Sequence, residues 1–381
     1  MTVIKKLMIH ILYTLFLFIP LKGLTDTRLP SLKERIGQKI MIGFQGTIES
    51  DPEVQEVIGY AKKGLIGGVI LFSYNIVSPE QVTALTSALQ KNSKYPLIIA
   101  VDQEGGKVQR LAARKGFMGY PAAYEVANML IEEQAYRVYL KMAAELKSVG
   151  CTCNLGPVLD LHSATASGNV NPVIGGLNRA YSSDPAVIKK YANTFIRAHK
   201  QYGIITALKH YPGHGLASTD SHKGMVDITL TYDEHERCVY RDMLKNEFDG
   251  MVMVAHVMHQ TIDKKYPATL SKTFIQGWLR NEEKFGGVII SDDIHMGAIQ
   301  FEFGFEESVV RAVDAGIDIL IFSNNPLANG NAPHVIRGVI VVDNAITCIM
   351  KALEEGILTE SDLNASYSRI MSLKRRYEKP H

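Results

Sequence analysis

Disulfides, a dominant charge and the common cofactor signatures are all scarce or missing in this chain of 381 residues. Only four cysteines occur, Cys151, Cys153, Cys238 and Cys348. That is too few for a disulfide framework, and Cys151 and Cys153 stand too close together to bridge comfortably within a strand. They read as buried thiols, with a single unassigned disulfide left open. Lys and Arg number 41 against 39 Asp and Glu, for a net charge of +2. With the basic residues dispersed, nothing favours a polyanion, and nucleic acid is not an expected partner. No Gly-x-Gly-x-x-Gly follows the first predicted strand, which removes the simplest dinucleotide-binding reading. His210 and His214 have the spacing of a helical metal pair, but Pro212 and Gly213 between them forbid the helix. No metal and no other cofactor is expected.

One long apolar run is present, over residues 7–21, directly after Lys5 and Lys6. A basic start followed by such a run is the pattern of a secretory signal peptide, and it is shorter than the roughly 20 residues of a membrane span. Residues 1–25 are therefore assigned to a signal peptide, cleaved between Gly23 and Thr27. An uncleaved N-terminal anchor is the alternative and the one route to a membrane. Residues 26–381 form the expected catalytic domain, exported to the periplasm or the exterior.

From Ser31 onward a pattern repeats. Apolar, β-rich runs occupy residues 39–44, 68–72, 97–102, 152–160, 204–210, 250–256, 287–292 and 317–322. Between them, residues 51–63, 79–91, 122–149, 185–202, 232–246, 273–285 and 305–315 carry apolar positions three and four apart, as helices do. Strands alternating with helices make parallel β/α units, and eight of them predict an α/β fold of the TIM-type (β/α)8 barrel, as a single domain. Residues 339–355 and 361–377 read as terminal helices, with Gly356 stopping the first.

In such a barrel the carboxyl ends of the strands share one rim, where catalysis is expected. Reading those ends collects Asp102, Asp160, Lys209, His210, His256, Asp292, Asn324 and Asn325. The stretch from Lys209 to Asp227 is the densest in chemistry. Pro212, Gly213 and Gly215 break regular structure there, and Asp220-Ser221-His222 offers a carboxylate beside an imidazole, an arrangement suited to proton transfer near neutral pH. Asp292 ends an apolar strand and should point into a pocket, while Asp293 is expected to cap the following helix. Asp102 ends another strand, and Arg110 is near enough in sequence to fold back on the same pocket. Arg179 precedes Asp184-Pro185, a helix start, in a loop where a solvated cation is an equally simple reading.

Four ordered segments, Asp102-Gln-Glu-Gly-Gly-Lys-Val-Gln-Arg110, Lys209-His-Tyr-Pro-Gly-His-Gly215, Asp220-Ser-His222 and Ser291-Asp-Asp-Ile-His-Met296, together resemble family 3 glycoside hydrolases of the β-N-acetylhexosaminidase branch. The resemblance spans residues 31–373. It implies a retaining exo-β-N-acetylglucosaminidase acting on N-acetylglucosamine-containing glycans such as peptidoglycan fragments. Asp292 matches the nucleophile, and His222 with Asp220 the acid/base dyad. Asp102, Arg110, Arg179, Lys209 and His210 match residues that hold the sugar. Leu216-Ala217 replaces the family's usual Asp-Thr, and Lys107 a common Arg. A glycoside phosphorylase of the same fold and an inactive sugar-binding envelope protein remain as alternatives.

Overall fold

The eight apolar runs become the eight strands of a closed parallel barrel in the computed structural model, which describes residues 29–162, 171–217, 224–245, 248–325 and 336–378. The strands are β1 (Ile40–Ile42), β2 (Gly68–Leu71), β3 (Ile98–Val101), β4 (Cys153–Asn154), β5 (Ile205–Tyr211), β6 (Met251–Val254), β7 (Val288–Asp293) and β8 (Ile319–Phe322). Each pairs with its neighbours in sequence, and β8 closes the ring on β1 with Leu320 opposite Ile40. Residues 1–25, assigned above to a signal peptide or anchor, lie outside the described residues.

Alternation along each strand sorts the side chains into two layers. Met41, Ile70, Ile98, Ala100, Cys153, Ala207, Met253, Ile290 and Ile321 turn inward and fill the barrel. Their neighbours, among them Ile42, Val69, Ile99, Leu208, Val252, Ile289 and Phe322, pack outward against the helices. Ile370, Leu373 and Tyr377 of the last helix, Glu360–Glu378, join the inner cluster. That helix is held at the amino ends of the strands: Arg369 binds Asp318, just before β8, and the Tyr377 hydroxyl binds Asp249, before β6, at 3.0 Å. The barrel floor is thereby stoppered, leaving the carboxyl ends open to ligand.

Three expected elements differ. The helix over residues 122–149 is two, Ala123–Met129 and Glu132–Ser148, with Leu130 extended between them. Tyr191 donates to the Leu130 carbonyl at 2.6 Å and Gln134 accepts the Ile131 N–H, so the break is satisfied by side chains. The segment Thr273–Glu282 winds with wider π-type turns, ending in a Glu283 N–H to Trp278 carbonyl bond of 2.9 Å. Of residues 152–160 only Cys153–Asn154 forms a continuous strand; past Pro157, which has no N–H to give, pairing resumes as a single bridge between Val158 and Lys209. All four cysteines are free thiols, with Cys151 and Cys153 buried, so the disulfide left open in the sequence is not present.

Candidate active site

Two strands of the barrel slip by one residue where they reach the rim. On β5, Leu208 and Tyr211 stand opposite Val252 and Val254 of β6. On β7, Ile290 and Asp293 stand opposite Ile319 and Ile321 of β8. Each is a bulge, three steps against two, and a bulge re-aims side chains. In a regular strand, consecutive residues face opposite ways. Here Lys209 and His210 both line one cavity, and so do Asp292 and Asp293.

That cavity, about 240 Å³, opens at the carboxyl ends of the strands. Its apolar surface comes from Ile70, Leu155, Met253 and Ile321 inside the barrel and from Phe72, Val173, Ile174 and Leu177 around it. Its polar surface is a chain of paired charges. Lys209, 2% exposed, reaches Asp102 at 2.9 Å and Glu104 at 2.7 Å. Asp102 also takes Arg110 at 3.1 Å. Burial alone would raise both carboxyls. Lys209 with Arg110 overcomes it at Asp102 and holds that group well below the carboxylate range, and Arg179 with Lys209 holds Glu104 at about 2. Both are acceptor-only anions at neutral pH.

Arg179 is not the solvated loop cation that its flanking sequence allowed. Its guanidinium is mostly buried and grips Glu104 through Nε and Nη2, each at 2.8 Å. It also meets His210 Nε2 at 3.4 Å. Arginine has only donors, so Nε2 accepts, and His210 Nδ1–H points to Asp160 at 2.6 Å. Asp160, fully buried, further accepts the main-chain N–H groups of His210 and His214. Burial raises its carboxyl, but the two histidines and these hydrogen bonds bring it below its ordinary value. His214 is pushed down to about 4 by burial, which outweighs the pull of Asp160.

Asp292, half-buried, is the penultimate residue of β7 and accepts the Asp293 N–H at 2.8 Å. Asp293 corrects an expectation. It is a strand residue rather than a helix cap: the next helix starts at Gly297, after Met296. The Asp293 carboxylate accepts the main-chain N–H of Ser323, at 2.9 Å, and the Ser323 hydroxyl, fastening β7 to the end of β8. The sequence reading missed Glu104. Its clue was the spacing: Asp102 and Glu104 flank Gln103 and so project to the same side of an extended segment.

Asp220 and His222 lie outside the described residues. The chain on either side of them is well anchored. Before them, Asp160 binds the main chain at His214; after them, Val226–Asp227 pairs in parallel with Val257–Met258. Leu216 is partly buried against the core and Ala217 fully buried. Of the expected site residues, the structure unites Asp102, Arg110, Arg179, Lys209, His210 and Asp292 in the one cavity. His256 is at the rim as expected, but it supports rather than lines: its Nε2 meets the Asp293 carbonyl at 2.9 Å and Nδ1 the Thr269 hydroxyl at 2.8 Å.

Comparison with known proteins identifies the family and the fold. Residues 31–373 match the family model described as glycosyl hydrolase family 3 N terminal domain. The beta-hexosaminidase of Photobacterium profundum is 38% identical over 280 residues, 73% of this chain and 79% of that protein. Beta-hexosaminidase A of Pseudoalteromonas piscicida is 29% identical, over 94% of this chain and 64% of that protein. The solved glycoside hydrolase family 3 beta-N-acetylglucosaminidase from Paenibacillus sp. str. FPU-7 superposes with a TM-score of 0.81 at 30% identity, covering 92% of this chain and 63% of that one. The chain thus spans under two thirds of the last two proteins.

Proposed function

Because the chain belongs to glycosyl hydrolase family 3, it is a glycoside hydrolase, and we propose that it removes terminal β-linked N-acetylglucosamine with retention at the anomeric carbon. The observation that carries this reading is the placement of Asp292 in one small cavity with Asp102, Arg179 and the buried Lys209, both cations being tied to the buried Glu104. Anions and cations fixed in pairs suit sugar hydroxyls, which both donate and accept, and relatives named β-hexosaminidase support the sugar. The cavity, below the ~300–1,000 Å³ of common ligand sites, suits one terminal residue rather than the interior of a chain.

In the proposed first step the Asp292 carboxylate attacks the anomeric carbon while an acid protonates the departing glycosidic oxygen. In the second, the same group, now a base, takes a proton from water, which displaces Asp292. A second carboxylate usually fills that role in retaining enzymes. Here Asp293, beside the nucleophile, is committed to Ser323. His214, held at about 4, is a neutral imidazole at neutral pH, and its remaining N–H is too weak an acid to protonate a departing oxygen. His222 is the acid/base we assign, with Asp220, two positions before it, as its partner. The basic and apolar residues 5–21 support export, which would bring the enzyme to peptidoglycan fragments as substrate.

Turnover of a chromogenic β-N-acetylglucosaminide tests the reading, with mass spectrometry of the protein after an activated 2-fluoro sugar. Label on Asp292 and products unchanged by added phosphate are expected. Label on Asp293, or a sugar phosphate as product, would overturn the assignment.

A further inference from the structure

Glu236 lies in the first turn of the helix Glu234–Leu244 and is 1% exposed. Its Oε1 accepts two main-chain N–H groups, that of Gly215 at 2.8 Å and that of Leu161 at 3.2 Å. Leu161 belongs to the loop after β4 and Gly215 to the loop after β5, so a single oxygen ties two loops of the catalytic rim. Asp160 makes the reciprocal tie, from the loop after β4 to the N–H groups of His210 and His214. Residues 210–215 are therefore held from two sides by two buried carboxyl groups.

The glycines of this segment answer to the same side chain. A Cβ on Gly213, whose φ is +141°, would lie 2.5 Å from both Cβ and Oε2 of Glu236. One on Gly215 would lie 2.7 Å from Oε1 and 2.2 Å from the Leu161 carbonyl oxygen. All of these distances are far inside van der Waals contact, so Pro-Gly-His-Gly must lack side chains at both glycines, where Glu236 packs beneath it.

We propose that Glu236 is a positioning residue for the reaction: it fixes the main chain at Gly215, from which the chain runs on toward Asp220 and His222. The proposal rests on the glycosidase reading given above. Glu236 does not line the cavity, and the clamp of Asp102, Glu104, Arg179 and Lys209 is assembled without it. Its influence should fall on the chemical step rather than on sugar affinity. Nor does it act as a charge. Burial, then the neighbouring Asp160, push its carboxyl up to about 8, so at neutral pH Oε1 is the acceptor of an uncharged acid. A carboxamide offers the same acceptor in the same place.

Steady-state kinetics on the chromogenic substrate, with free N-acetylglucosamine as competitive inhibitor, test this in three variants. Glu236→Gln should keep kcat within about threefold of the parent, because the acceptor survives. Glu236→Ala should lower kcat about tenfold or more while the inhibition constant moves less than about threefold, the split expected when binding groups are untouched. Glu236→Asp, one methylene too short to reach Gly215, should resemble Glu236→Ala and replaces it if thermal melting shows that the alanine variant does not fold. Parental kcat in both Ala and Asp variants, equal loss in Gln and Ala, or a matching rise of the inhibition constant would each overturn the proposal. Inactive parent protein would overturn the glycosidase reading and this proposal with it, whereas an active parent with unaffected variants overturns this proposal alone.

Discussion

Arg179 holds Glu104 in a two-pronged grip, 2.8 Å on each side, across 75 positions of sequence, and Glu104 in turn holds Lys209. The carboxylate is the keystone of two buried cations. Glu104→Gln should strand both of them, and breaking a buried ion pair costs about 3–5 kcal/mol. A depressed melting temperature and a large fall in kcat/KM are expected together. Parental stability would show that the cations do not depend on Glu104.

Asn154, at the end of β4, accepts the N–H of Gln103 at 3.1 Å and donates to its carbonyl at 2.9 Å. Gln103 lies between Asp102 and Glu104, so Asn154 fixes the main chain that carries both carboxylates. Asn154→Ala should weaken inhibition by free N-acetylglucosamine by roughly five- to tenfold, about 1–1.5 kcal/mol. An unchanged inhibition constant would argue that the segment holds itself.

The barrel floor offers a contrast. Asp318, fully buried, binds Arg280 at 2.8 Å, Arg369 at 2.7 Å and the Ile289 N–H at 2.8 Å. Asp318→Asn should cost about 3 kcal/mol or more in urea unfolding, since the guanidinium groups lose their counter-charge. The same variant should retain kcat and KM at temperatures where it is folded, because the reacting end of the barrel is the opposite one. A catalytic defect in folded protein would contradict that separation.

His222→Ala tests the acid/base role. It should be crippled toward poor leaving groups yet comparatively tolerant of a nitrophenolate, which departs without a proton. It should also accumulate intermediate on Asp292 and gain rate with azide, a nucleophile that needs no base. Equal losses on good and poor leaving groups, with no response to azide, would make His222 structural.

Acid stability should carry a histidine signature. Burial holds His199 and His214 at about 4, below the ordinary 6.5. Between those values the unfolded chain binds protons that the folded one refuses, so stability falls as pH drops from 6.5 toward 4. Glu236 opposes this: folded, it keeps its proton to about 8, so it lowers stability as pH rises from 4.5. His199→Gln should reduce the slope of unfolding free energy between pH 4.5 and 6.5 by up to about one proton, at most about 1.4 kcal/mol per pH unit near pH 5. Parallel slopes for the two proteins would show that His199 is not held neutral.

Much of this was legible in the residues. Asp184 does cap its helix, accepting the Ala186 N–H at 2.8 Å, and Gly356, at φ +72°, follows the helix Ile340–Glu354 as a stop. The role of Asp293 was not legible. A carboxylate after a strand and before a helix fits a cap as well as a strand tie, and choosing between them needs Ser323, which arrives 30 positions later.

By itself the sequence determined the barrel and the placing of Asp102, Asp160, Lys209, His210 and Asp292 on one rim. Alternation, run length and helix periodicity are local properties, and eight β/α units in series have few ways to bury their apolar faces. Only the tertiary structure decided how those groups act. The slips on β5 and β7 turn the neighbours Lys209 with His210, and Asp292 with Asp293, into a shared cavity, and register depends on the strand alongside. Lys209 likewise meets Asp102 across 107 positions only because the ring closes, since a buried charge is settled by whichever partner the fold delivers to it.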